Sequence, residues 1–215
     1  MHEWFRFFSA QPSGGKSSSG ASLSEARLRT LIEPVERAEF AKLPDLSGQI
    51  VLEVAPQLKP FSPLLKEKGA SFVAELGTLE GASVKSRWET LPIRTGVCHL
   101  ALCRTHFVGR ELTSLLKETA RVLKNQGTLL VAGLHPFSLM IQDQVKKNPV
   151  TEDGIAPGFE KFFRLFQSQG MRLEGVKEVF FDLSLKKLFG EAGQKEYERY
   201  RKSPFLIFFT LRKQG

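Results

Sequence analysis

The sequence has no long apolar run. None of its 215 residues lies in a stretch approaching the roughly 18 apolar residues that read as a membrane span. Its first residues, Met1-His2-Glu3-Trp4, lack the basic-then-apolar layout of a signal peptide, so a cytoplasmic protein is expected. Cysteine is scarce: Cys98 and Cys103 are the only two, which excludes a disulfide framework. A strand over 97–102 would put them on opposite faces or at its two ends, as buried thiols. The four histidines, His2, His99, His106 and His135, show no HxxxH or HExxH spacing, which excludes the zinc-hydrolase pattern. There is no Asn-Pro-Pro-Tyr or Asp-Pro-Pro-Tyr tetrad to hold a flipped base. Gly14-Gly15-Lys16-Ser17 ends like a P-loop but lacks its first glycine and a preceding strand.

What remains is the composition of one ordinary domain, 41% hydrophobic and 25% charged. The 31 basic and 23 acidic residues leave a net charge of +8. The excess is interleaved with acids, as in Lys195-Glu196-Tyr197-Glu198-Arg199, the pattern of a solvated helix face. A positive field speeds encounters with phosphates, nucleic acid or acyl carriers, and the absence of a basic stripe disfavours nucleic acid among them.

Residues 1–44 read as a lead-in: an aromatic segment Trp4-Phe5-Arg6-Phe7-Phe8, a Gly/Ser-rich linker over 11–24, and a helix with the stripe Leu28, Leu31, Ile32 and Val35. From 45 to 215 strands and helices alternate. Strands are expected at 49–54, 71–76, 82–85, 97–102 and 128–133, with helices at 61–68 and 112–124, the latter ending where Gly127 can take a left-handed conformation. An insertion at about 135–158 carries Pro136, Pro149 and Pro157. The stripe Phe159, Phe162, Phe163 and Phe166 then predicts a core-packed helix, and 171–180 and 204–211 two final strands. This rhythm predicts an α/β, Rossmann-like, seven-stranded, mainly parallel sheet with an antiparallel C-terminal strand.

In such a sheet ligands bind beyond the carboxyl ends of the strands, where the strand order reverses. Glu53 ends the first strand, Glu75 the second, Cys103-Arg104-Thr105-His106 the fourth and Leu134-His135-Pro136 the fifth. His106 and His135 are therefore the candidate catalytic residues, since an imidazole there could take a proton from an oxygen or nitrogen nucleophile.

Glu53-Val54-Ala55-Pro56-Gln57-Leu58-Lys59, then Glu75, then Arg121-Val122-Leu123-Lys124-Asn125-Gln126-Gly127 before a strand, resemble the class I S-adenosylmethionine-dependent methyltransferases. The resemblance implies S-adenosylmethionine as cofactor. Glu53 would meet its amino group directly or through water, the turn over Ala55, Gln57 and Lys59 would hold its methionine portion, and Glu75 would bind the ribose. Trp88 would stack on the base or cover the pocket. It also implies methyl transfer to a small-molecule or carrier-bound acyl substrate, with apolar Phe137, Leu139, Met140 and Ile141 forming a lid. The chain departs from the family where Gln57 and Lys59 replace turn glycines and Arg87 stands near an adenine-binding aspartate. Those departures motivate the alternative, a non-catalytic methyltransferase-like scaffold that meets a protein partner through residues 4–8 or 137–141.

Overall fold

A computed structural model of the chain describes residues 25–55, 58–76, 90–106, 112–135, 137–138, 159–191 and 193–215. The elements in chain order are α1 (Glu25–Phe40), β1 (Ile50–Val54), α2 (Ser62–Glu67), β2 (Phe72–Leu76), β3 (Cys98–Arg104), α3 (Leu112–Val122) and β4 (Leu123–Leu134), followed by α4 (Phe159–Ser168), β5 (Met171–Phe180), α5 (Leu183–Phe189), α6 (Gln194–Tyr200) and β6 (Pro204–Lys213).

The six strands form one sheet in the order β2-β1-β3-β4-β6-β5. β1 pairs in parallel with both β2 and β3, and β3 with β4. β6 is antiparallel to both of its neighbours. Six of the seven expected strands are thus in place. The expected strand at 82–85 lies outside the described residues. No described helix is long and apolar enough to cross a membrane.

Alternation along the strands feeds two cores. Leu52, Val54, Ala101, Cys103, Leu129 and Val131 face a larger core shared with α1, α3 and α4. Val51, Val73, Leu100, Leu102 and Ala132 face a smaller one with Phe40, Phe61 and Leu65. Two residues of the aromatic stripe of α4 pack in the core: Phe163 and Phe166 meet Phe209 of β6 edge-on, at 6.3 and 5.3 Å between ring centres. α1 runs unbroken through Pro34. Its Leu28, Leu31, Ile32 and Val35 lie in the larger core, so the helix packs as part of the sheet domain. Cys98 and Cys103 sit at the two ends of β3, both buried and both reduced.

One local expectation is corrected. The left-handed residue after α3 is Gln126, with φ of 62°, and not Gly127. Gln126 sits where the resembling family has its first glycine, and Arg212 Nη1 holds its carbonyl at 2.9 Å. Gly127 is needed for another reason: a Cβ there would lie 2.8 Å from the Lys124 carbonyl oxygen.

Candidate functional site

The chain leaves β1 for β2 on one side and returns to β3 on the other, so the strand order reverses between β1 and β3. Period-two alternation places Glu53 of β1 on the same side as Val51, and Glu53 stands opposite Glu75 of β2 in register. Arg104 ends β3 and His106 follows two residues later. Glu36 comes down onto them from α1.

These side chains make a closed polar cluster. Glu36, Glu53, Arg104 and His106 are all 0% exposed. Glu36 Oε2 accepts from Arg104 Nε at 2.9 Å and from Nη2 at 2.6 Å, and its Oε1 lies 2.7 Å from His106 Nε2. Because a carboxylate there can only accept, His106 carries a proton on Nε2. Arg104 Nη1 donates to the carbonyl of Lys59 at 2.5 Å and lies 3.8 Å from Glu53 Oε1. Glu53 Oε1 accepts from the Phe61 amide at 2.6 Å, and the Arg104 guanidinium rests 4.1 Å from the centre of the Phe61 ring.

The two carboxyls respond to burial in opposite ways. Burial works against a charged Glu36, but His106 and Arg104 outweigh it and hold the group below the ordinary carboxylate range. Glu53 has only a distant Arg104 contact and one amide, so burial prevails and pushes it up to about 7. Its other oxygen, Oε2, is buried and has no hydrogen-bond partner among the described residues. That oxygen fits a donor approaching from the carboxyl ends of the strands.

The other expected residues divide as follows. Ala55 is buried and Glu75 half-buried, whereas the Lys59 side chain is exposed. Gln57 and Trp88 lie outside the described residues, as do Arg87, Leu139, Met140 and Ile141. His135 is buried, with Nε2 2.7 Å from Glu178 Oε1 and Nδ1 accepting from the Phe137 amide at 3.1 Å. An Nδ1 that accepts leaves the proton on Nε2, so this is the neutral Nε2–H tautomer. Among the described residues no group of His, Cys, Asp and Glu has a metal-holding arrangement.

Sequence reasoning missed Glu36 and gave Arg104 no role of its own. A signal for Glu36 was present: Leu28, Ile32, Glu36 and Phe40 recur every four residues, so the acid occupies a buried stripe position.

No protein-family model and no curated protein matches the chain. Solved structures do. An S-adenosylmethionine-dependent methyltransferase from Mesorhizobium loti superposes with a TM-score of 0.60 at 15% identity, covering 85% of this chain and 98% of that one. The chain has the fold of the S-adenosylmethionine-dependent methyltransferases. A geranyl diphosphate C-methyltransferase from Streptomyces coelicolor, solved with Mg2+, geranyl diphosphate and S-adenosyl-L-homocysteine, gives 0.58 at 12% identity over 98% of this chain and 97% of that one. In this fold Glu53, Ala55, Lys59 and Glu75 stand where the strand order reverses.

Proposed function

We propose that the protein transfers a methyl group from S-adenosylmethionine to a small-molecule or carrier-bound acyl substrate. The observation that carries this reading is the buried Oε2 of Glu53, without a partner among the described residues, on a residue in register with Glu75 at the point where the strand order reverses. When bound, the cofactor supplies an electrophilic methyl group on a sulfonium. Glu53 would accept a donor from its methionine end, and Glu75 would accept from the ribose hydroxyls. Ala55, Gln57 and Lys59 would line the methionine portion, and Trp88 would stack on the base or cover the pocket. His106 and His135, each engaged with a carboxylate, would flank the substrate side, and an acceptor that carries a proton would release it to water. In-line placement matters more than acid or base strength for a methyl transfer. The net charge of +8 suits an anionic acceptor such as an acyl carrier.

Calorimetry of the full chain against S-adenosylmethionine and S-adenosylhomocysteine tests the reading. Binding at micromolar ligand supports it. A folded protein that gives no heat at millimolar ligand overturns it.

That second outcome would leave the non-catalytic scaffold. It is favoured by the way Glu36, Arg104 and His106 close the carboxyl ends of β1 and β3 with no exposed surface. Phe137, 55% exposed, is then part of the partner-facing surface.

A further inference from the structure

The stretch that follows β1 carries Gln57 and Lys59 where the resembling family has glycines, residues that let such a turn settle tightly by itself. The segment from Leu58 to Phe61 is nevertheless held at three points. The Leu58 amide bonds the Ala55 carbonyl at 3.2 Å, the Lys59 carbonyl accepts from Arg104 Nη1, and the Phe61 amide donates to Glu53 Oε1. The Phe61 ring lies under the same guanidinium that binds Lys59. Arg104 can do this only because Glu36 engages its Nε and Nη2 and so fixes the plane of the fork. Glu36 is in turn held on its other oxygen by His106. Three elements distant in sequence, α1, β1 and β3, converge on one four-residue stretch.

We propose that Arg104 and Glu36 are positioning residues for the cofactor turn, doing from below what glycines would do within it, and that α1 is thereby a working part of the site. The role in cofactor binding rests on the methyl-transfer reading; the clamp on the turn does not. A methionine moiety bound here would meet backbone groups of this stretch, so its affinity would depend on how narrowly the stretch is held before binding. Lys59 then contributes through its carbonyl, and its exposed side chain is incidental to the clamp.

The test is amide hydrogen exchange on the full chain, read at Leu58 and Phe61 and referenced to the β4 and β6 amides. The variants are Glu36→Gln, Arg104→Lys and the double apolar substitution Glu36→Leu with Arg104→Met. The double variant removes both charges together and so avoids stranding a buried one. With the clamp lost, exchange at Leu58 and Phe61 should rise about tenfold or more in the double variant while the reference amides stay protected. Arg104→Lys, which retains one donor toward Lys59, should recover part of that protection. A second readout is the dissociation constant for S-adenosylhomocysteine, which should rise about tenfold in the double variant with its Tm within about 3 °C of the parent. A purely structural pair would move Tm and leave the affinity alone. Exchange at Leu58 and Phe61 that rises no more than at the reference amides overturns the clamp. Faster exchange in the double variant of a parent that binds no cofactor keeps the clamp and rejects only the methyl-transfer reading. Unchanged affinity in a double variant with faster exchange rejects the coupling to the cofactor.

Discussion

Glu36 and Arg104, 68 positions apart, meet with no water between them: one carboxylate oxygen accepts two guanidinium bonds, at 2.9 and 2.6 Å, and both side chains are fully buried. A pair of this kind is worth less than its Coulomb attraction suggests, because both ions give up hydration. Removing one partner is a different matter.

Glu36→Ala leaves the Arg104 charge buried against a distant Glu53 contact and deprives His106 of its acceptor. The expected loss is about 3–5 kcal/mol of folding stability, measured by urea denaturation. A loss under about 1 kcal/mol would mean that water enters and solvates the guanidinium.

Glu53 makes stability depend on pH in a direction unusual for an acid. Its folded value of about 7 lies above the ordinary 4.5, so the folded state holds the proton more tightly. The resulting stabilisation is complete below about pH 4.5 and is lost as pH climbs through about 7. Glu36, held below the ordinary range, acts oppositely: its contribution is present above about pH 4.5 and is lost as pH falls through its folded value. Glu53→Gln keeps the shape and removes only the Glu53 titration. Compared with the parent in thermal melts, it should be more stable near pH 8, by at most about 3 kcal/mol at roughly 1.4 kcal/mol per pH unit. The difference should shrink toward pH 4.5. A constant offset across that window would show that Glu53 does not titrate there.

The adjacent pair Gln126 and Gly127 predicts two substitutions of opposite sign. Gln126 holds φ of 62°, a conformation that costs an L-residue about 1–2 kcal/mol. Gln126→Gly should therefore stabilise by about 1 kcal/mol. Gly127→Ala drives a methyl to within 2.8 Å of the Lys124 carbonyl oxygen and 3.2 Å of Leu123 Cδ2, and the backbone oxygen has little room to yield. A loss of about 1–3 kcal/mol is expected, and chemical denaturation of both variants checks the pair. Equal effects of one sign would contradict the assignment of the left-handed position.

Cys98 and Cys103 should be inert in the native protein. Burial pushes their thiols up to about 11 and about 12, and Thr119 Oγ1 lies 3.6 Å from the Cys103 sulfur. A chromogenic disulfide reagent near pH 8 should label neither until denaturant is added, and then both. Rapid labelling of the folded chain would place at least one thiol at the surface.

The sequence by itself determined the layers. Short, nearly continuous apolar runs such as Ile50–Val54 and Thr128-Leu129-Leu130-Val131 specify strands, and the stripes of α1, α3 and α4 specify helices, because each pattern is a local statement about which side chains can leave water together. Their alternation pointed to a mainly parallel sheet, and the position of an acid near the carboxyl end of the first and second strands was legible for the same local reason. Left unread were the identity of the left-handed residue after α3 and the fate of the charged side chains. Gln126 takes the strained position because Arg212, 86 residues away, holds its carbonyl. Glu36 was written on a buried helical stripe, yet nothing local says what an acid there would meet. Its partners come from β3 and the segment just beyond it, and the Lys59 carbonyl is brought to Arg104 by the return of the chain across β1. Hydrophobic periodicity is set by nearest neighbours in the chain, whereas a buried charge is stable only through partners of matching geometry, and the tertiary structure alone supplies those.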